Sequence, residues 1–85
     1  MPTDNLTNAL AAAVIASDAR KNDRRIHSEQ CDAVLTAARA ERGPENCAEE
    51  NATAYAAGIA YAAERALFAD IIEVYARAQV LLYPV

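Results

Sequence analysis

The densest apolar segment of the chain is ALFADIIEVYARAQVLLY, residues 66–83. On a helical wheel its charged residues Asp70, Glu73 and Arg77 fall within about 60° of one another. Its apolar residues spread over roughly 180° of the other side. One neighbouring helix needs an apolar arc of only about 100°, so this segment predicts a helix with neighbours on two sides.

Composition predicts an all-α protein with one helical domain over residues 1–85. The chain has only two glycines and three prolines, and 22 of its 85 residues are alanine. Alanine favours helices but contributes little buried apolar area, and a chain of this length buries a small fraction of its surface. Because association between copies is a usual remedy at this size, the composition also predicts a homodimer.

The pattern along the chain predicts three helices, at about residues 4–20, 23–42 and 45–83. A break near Asn22 and Asp23 is favoured because Asn and Asp prefer helix caps to helix interiors, although one long helix through this polar stretch is the alternative. Gly43 and Pro44 end the second helix. The short connection makes the second and third helices antiparallel neighbours, in which residues whose numbers sum to about 88 face each other.

The predicted fold is therefore an antiparallel helical hairpin or three-helix unit with a long C-terminal helix, which dimerises into a helical bundle. The predicted dimer interface consists of large apolar residues of the third helix: Leu67, Phe68, Ile71, Ile72, Tyr75 and Leu82. In the alanine-rich half of that helix, Ala54, Gly58 and Ala62 lie four residues apart, a spacing that lets a neighbouring helix approach closely.

The two cysteines are predicted to stay reduced. Cys31 and Cys47 lie roughly 14 Å apart along the hairpin axis, whereas an intrachain disulfide needs Cα atoms within about 7 Å. His27 and Cys31 share a helix face and could supply two zinc ligands, but no other pair is in reach. The sequence therefore predicts no metal and no cofactor, with a metal or redox sensor through His27, Cys31 and Cys47 as an alternative.

Nothing in the sequence indicates an enzyme. The carboxylate pairs Glu49–Glu50 and Asp70–Glu73 have no histidine or nucleophilic serine near them, and thin helices seldom enclose a catalytic pocket. No membrane span is predicted, because charged residues interrupt the C-terminal apolar run. No secretory signal is recognised either, so a cytoplasmic location is expected.

Charge favours a protein partner over nucleic acid. The net charge is −4 and the pI is about 4.8, whereas phosphate binding needs clustered Lys and Arg. The alternative is a DNA-associated regulatory module that uses the basic cluster Arg20–Arg25.

The sequence thus predicts a small acidic, non-enzymatic interaction protein. It would act as an inhibitor or adaptor on a larger protein complex, for example a phage-borne inhibitor of host defence such as an anti-CRISPR protein. The predicted partner-binding residues are Glu45, Glu49 and Glu50, at the start of the third helix.

Overall fold

The protein is a hairpin of two long helices. The computed structural model describes residues 2–84, with side chains from Asp4 onward. Helix α1 spans Pro2–Arg42 and helix α2 spans Ala48–Leu82, joined by one 3₁₀ turn at Pro44–Asn46. The hairpin measures 61 × 16 × 15 Å. The described residues form no strand, and the prediction of an all-α fold with a long C-terminal helix is confirmed.

Helix α1 is continuous, so the predicted division into helices 4–20 and 23–42 is wrong. Side-chain pairs one turn apart stabilise the polar middle: Lys21 Nζ lies 3.0 Å from Asp18 Oδ1, and Arg25 Nη1 lies 3.1 Å from Glu29 Oε1. Asn22 also donates a hydrogen bond to Asp18, at 3.4 Å. These pairs, together with contacts to α2, outweigh the weak helix preference of Asn22.

Gly43 ends α1, as the Gly-Pro pair predicts. It adopts a φ of +87°, which suits glycine, and its N–H donates to Arg39 O at 3.0 Å. Pro44 follows in the first position of the 3₁₀ turn. The side-chain amide of Asn46 donates a hydrogen bond to Arg42 O at 2.9 Å. The residue before α2 is Cys47, whose thiol donates to Gly43 O at 3.3 Å.

The helices run antiparallel along their whole length. Near the turn, Arg39 Nη2 donates to Asn51 Oδ1 at 2.9 Å; in the middle, Lys21 Nζ lies 4.1 Å from the Phe68 ring centre. At the open end, the Thr7 and Tyr83 hydroxyls are 3.0 Å apart. Facing residue numbers sum to about 89, close to the predicted 88. The C-terminal half of α2 therefore packs against the first half of α1, which is the start of the same continuous helix.

The residues that pack against α1, from Cys47 just before α2 to Leu82 at its end, follow a seven-residue repeat, the pattern of a left-handed coiled coil. All of them are buried or half-buried: Cys47, Ala54, Tyr61, Phe68, Tyr75 and Leu82 in one position of the repeat, and Glu50, Ala57, Glu64, Ile71 and Ala78 in the other. The side of α1 that faces them buries Ser17, Cys31, Leu35 and Ala38. Since most of these side chains are small, the hairpin core is narrow and leaves many large apolar residues exposed.

Candidate interaction surfaces

The side of α2 that faces away from α1 carries a second apolar stripe with the same seven-residue spacing. Its large members are Tyr55, Ile59 and Val80. Its small members are Ala48, Ala52, Ala62, Ala66, Ala69 and Ala76, and its one charged member is Glu73. We call this set the outer stripe. Every member is exposed, with Tyr55 at 74% and Val80 at 71%.

The outer stripe has the spacing of a helix-packing seam. Its members recur at alternating intervals of three and four residues along all of α2, as buried coiled-coil positions do. A surface helix of a monomer normally carries polar residues on its solvent side. An apolar side of this length therefore marks a surface that packs against something else.

The six residues predicted for a dimer interface do not form one surface. Four of them are half-buried in the contact between α1 and α2 of the same chain, which we call the intrachain seam: Phe68, Ile71, Tyr75 and Leu82. Leu67 and Ile72 are exposed, at 44% and 39%, on opposite flanks of that seam, about 140° apart around α2. The dimer itself stays a prediction, but in the hairpin four of the six residues already pack against α1.

The three predicted partner-binding acids lie together at the turn end, where they are not equivalent. Glu45, in the 3₁₀ turn, and Glu49, in the first turn of α2, are exposed. Glu50 accepts a hydrogen bond from Arg42, and its side chain is 16% exposed. That hydrogen bond is the main cause that lowers the pKa of Glu50 and raises the pKa of Arg42. Glu45 and Glu49 are thus the acids available to a partner.

His27 and Cys31 lie side by side next to a groove of about 370 Å³. The Nε2 atom of His27 is 3.6 Å from Cys31 Sγ, and Glu49 and Glu50 line the opposite wall. Cys47 is fully buried at the turn, away from this pair. Both cysteines are free thiols, and no three His, Cys, Asp or Glu side chains between residues 4 and 84 are grouped as metal ligands. The structure therefore brings His27 and Cys31 together but does not add Cys47.

Three of the four basic residues in the cluster Arg20–Arg25 lie close to an acidic side chain. Arg20 Nε lies 3.7 Å from Glu64 Oε2, too far for a hydrogen bond but within ion-pair range. Lys21 is engaged by Asp18 and by the Phe68 ring, and Arg25 by Glu29. Arg24 is exposed and borders a groove with His27. The cluster is consequently a set of local ion pairs and does not form a uniformly positive face.

Gly58 borders an open groove of about 760 Å³ that is lined in part by Tyr55, Ile59 and Ala62. A Cβ atom at Gly58 would meet nothing within 4 Å. The spacing of Ala54, Gly58 and Ala62 predicted close helix packing; Ala54 is buried, but Gly58 is not needed for the approach of α1.

Sequence reasoning missed the outer stripe. Its signal, alternating steps of three and four residues from Ala48 to Val80, was present in the sequence. It was hidden because most members are alanines, which a search for large apolar residues passes over. Recognising it also required knowing which side of α2 packs against α1.

Neither helix, over the residues that the structure describes, has an apolar stretch long enough to cross a membrane. Comparisons of the chain with protein families, with curated proteins and with solved structures give no match. The geometry of the hairpin is therefore the basis for a functional proposal.

Proposed function

We propose that this chain is a non-enzymatic interaction protein that self-associates and docks on a larger protein as an inhibitor or adaptor. The outer stripe is the observation that carries the proposal. An apolar, solvent-exposed surface along an entire helix is typical of a protein that functions in contact with another polypeptide. The narrow core supports the same view, since a small chain that buries little apolar area gains stability by association.

The turn end is the surface that we propose for the larger partner. Glu45 and Glu49 are exposed there, and the chain as a whole carries a net charge of −4. Such a surface favours a partner with a basic patch, because opposite charges speed association and orient the two surfaces. A phage-borne inhibitor that occupies the nucleic-acid cleft of a host defence complex is the kind of activity that fits this chemistry.

A pull-down with two matched baits tests the docking proposal. The immobilised wild-type chain is compared with a Glu45→Gln/Glu49→Gln variant in extract of the native host at low and moderate salt. We expect a stoichiometric protein that the wild-type bait retains, that the variant retains poorly and that salt weakens. Equal retention by both baits would contradict the role of the acids.

A DNA-binding titration separates this proposal from a DNA-associated module. We expect no binding of duplex DNA at micromolar protein concentration in low salt. Micromolar affinity that weakens steeply with salt, and that is lost on replacing Arg24 and Arg25 with glutamine, would contradict the proposal.

A further inference from the structure

We propose that the outer stripe is covered by the outer stripe of a second copy, packed antiparallel about a two-fold axis that crosses α2 between Leu67 and Phe68. This inference rests on the self-association in the proposed function and specifies its surface and register. It places the contact on the side of α2 opposite to α1, so both hairpins keep their intrachain seams. The product is a four-helix assembly with the two α2 helices in the middle.

Side-chain size supports pairing of the stripe with itself. In an antiparallel coiled coil, the two apolar positions of the repeat face each other across the seam. With the axis between Leu67 and Phe68, Ile59 of one copy faces Ala76 of the other, and this pair occurs twice. Large residues thus meet small ones, and the remaining large pair is Tyr55 against Val80. This alternation fills the seam without clashes.

The centre of the stripe suits a close approach of two helices. Ala62, Ala66 and Ala69 surround the proposed axis, and all three are exposed in the hairpin. Alanines at a crossing let helix axes come to about 8 Å, the lower end of the usual range. The larger residues lie toward both ends, where they lengthen the contact.

Charge supports the same register. Glu73, the one charged member of the stripe, accepts a hydrogen bond from Arg77 of its own chain at 2.5 Å. In the dimer it faces Ala62 of the second copy and therefore also lies one helical turn from Arg65 of that copy. Arg65 is exposed and lies over the Tyr61 ring, 5.6 Å from its centre. Because of the two-fold symmetry, this Glu73–Arg65 pair occurs twice in the dimer. A register shifted by seven residues either faces Glu73 with Tyr55 or leaves Tyr55 beyond the end of the partner helix.

Two glutamate substitutions on α2 test the surface. Val80 lies on the outer stripe and Val74 lies off it, about 120° around the helix; they are 71% and 55% exposed. Val80→Glu buries a carboxylate twice in the proposed dimer, so we expect sedimentation equilibrium to show at least about a hundredfold weaker self-association. Val74→Glu should remain dimeric, and circular dichroism should show equal helix content for both variants.

The reverse pattern, with Val74→Glu monomeric and Val80→Glu dimeric, would overturn the proposed surface while leaving self-association in place. A wild-type chain that is monomeric at high micromolar concentration would instead contradict the self-association on which the inference rests. The two failures are therefore distinguishable in one set of measurements.

A charge exchange tests the register. Glu73→Arg and Arg65→Glu each place like charges opposite one another in a homodimer, twice, so each variant alone should associate roughly tenfold more weakly. Mixed in equal amounts, the two variants restore opposite charges at both contacts and should form a heterodimer of near wild-type affinity. Effects within one chain, such as the loss of the Arg77 ion pair in Glu73→Arg, are the same for the variant alone and in the mixture. A mixture that associates no more tightly than its components would overturn the register.

Discussion

The position of the Glu50 side chain in the hairpin determines which groups its carboxylate can contact. From the sequence it is one acid of a group of three, all equally suited to a partner. In the structure the turn brings it to Arg42, eight residues earlier, and the resulting hydrogen bond lowers its pKa. Local spacing cannot reveal this contact, because it depends on the geometry of the turn.

The Arg42–Glu50 pair predicts a pH-dependent stability. The folded-state pKa of Glu50 lies below its ordinary value of 4.5, so its contribution is present above pH 4.5 and is lost as the pH falls through the folded pKa. Glu50→Gln should therefore lower the free energy of unfolding near pH 7, and the difference from wild type should vanish in more acid solution. Urea denaturation followed by circular dichroism at several pH values measures this.

Glu49→Gln is the matched control for that experiment, since Glu49 is the neighbouring acid in the same helical turn. It reports the loss of a negative charge at the helix N-terminus without the loss of the Arg42 contact. An equal effect of the two substitutions would show that the Arg42 pair contributes nothing beyond this charge.

Gly58 is a second position at which the structure predicts how one substitution changes stability. Glycine inside a helix costs roughly 0.5–1 kcal/mol relative to alanine, and a Cβ at Gly58 has open space. Gly58→Ala should therefore raise the free energy of unfolding by about that amount, and Ala62→Gly should lower it similarly. A loss of stability in Gly58→Ala, measured by denaturation, would mean that another chain occupies this space in solution.

At the scale of helices, the sequence predicts the second half of the hairpin better than the first. Gly43 and Pro44 mark the turn, and the long apolar run marks α2. The error lies at Asn22 and Asp23, where single-residue preferences indicate a break. Ion pairs within α1 and contacts along α2 keep the helix continuous there, and neither is visible in residue preferences alone.

Two adjacent residues of α1 should differ in how much their substitution by alanine destabilises the protein, because only one of them lies in the intrachain seam. Leu35 is 9% exposed and Val34 is 59% exposed. Leu35→Ala leaves a cavity between the helices and should destabilise the protein by about 2–3 kcal/mol. Val34→Ala removes an exposed side chain and should change stability by no more than about 0.5 kcal/mol. Thermal and urea denaturation compare the two, and similar losses would contradict the assigned faces of α1.

For the whole molecule, the sequence correctly predicts an excess of apolar surface but misplaces it. The helical wheel of residues 66–83 shows an apolar arc too wide for one neighbour, yet it cannot show which part α1 covers. That depends on the register of the hairpin, which buries Phe68 and Tyr75 partly against α1. The uncovered part of that arc carries Leu67, Ile72, Val74 and Leu81. The outer stripe lies instead on the side of the wheel that carries Glu73, and a search for large side chains overlooks its alanines.

The proposed dimer packs two hairpins side by side, which fixes its size as well as its mass. Each hairpin is 61 Å long, and the axis between Leu67 and Phe68 lies near the middle of α2. The dimer should thus be thicker than one hairpin but little longer. Association through the turn ends would give a particle about twice as long instead.

Small-angle X-ray scattering of the wild-type chain tests the proposed antiparallel dimer, because one curve gives both the mass and the greatest length of the particle. At high micromolar concentration we expect a mass near twice 9.1 kDa and a greatest length close to the 61 Å of one hairpin. A mass of 9.1 kDa, or a doubled mass with a doubled length, would contradict the proposed dimer.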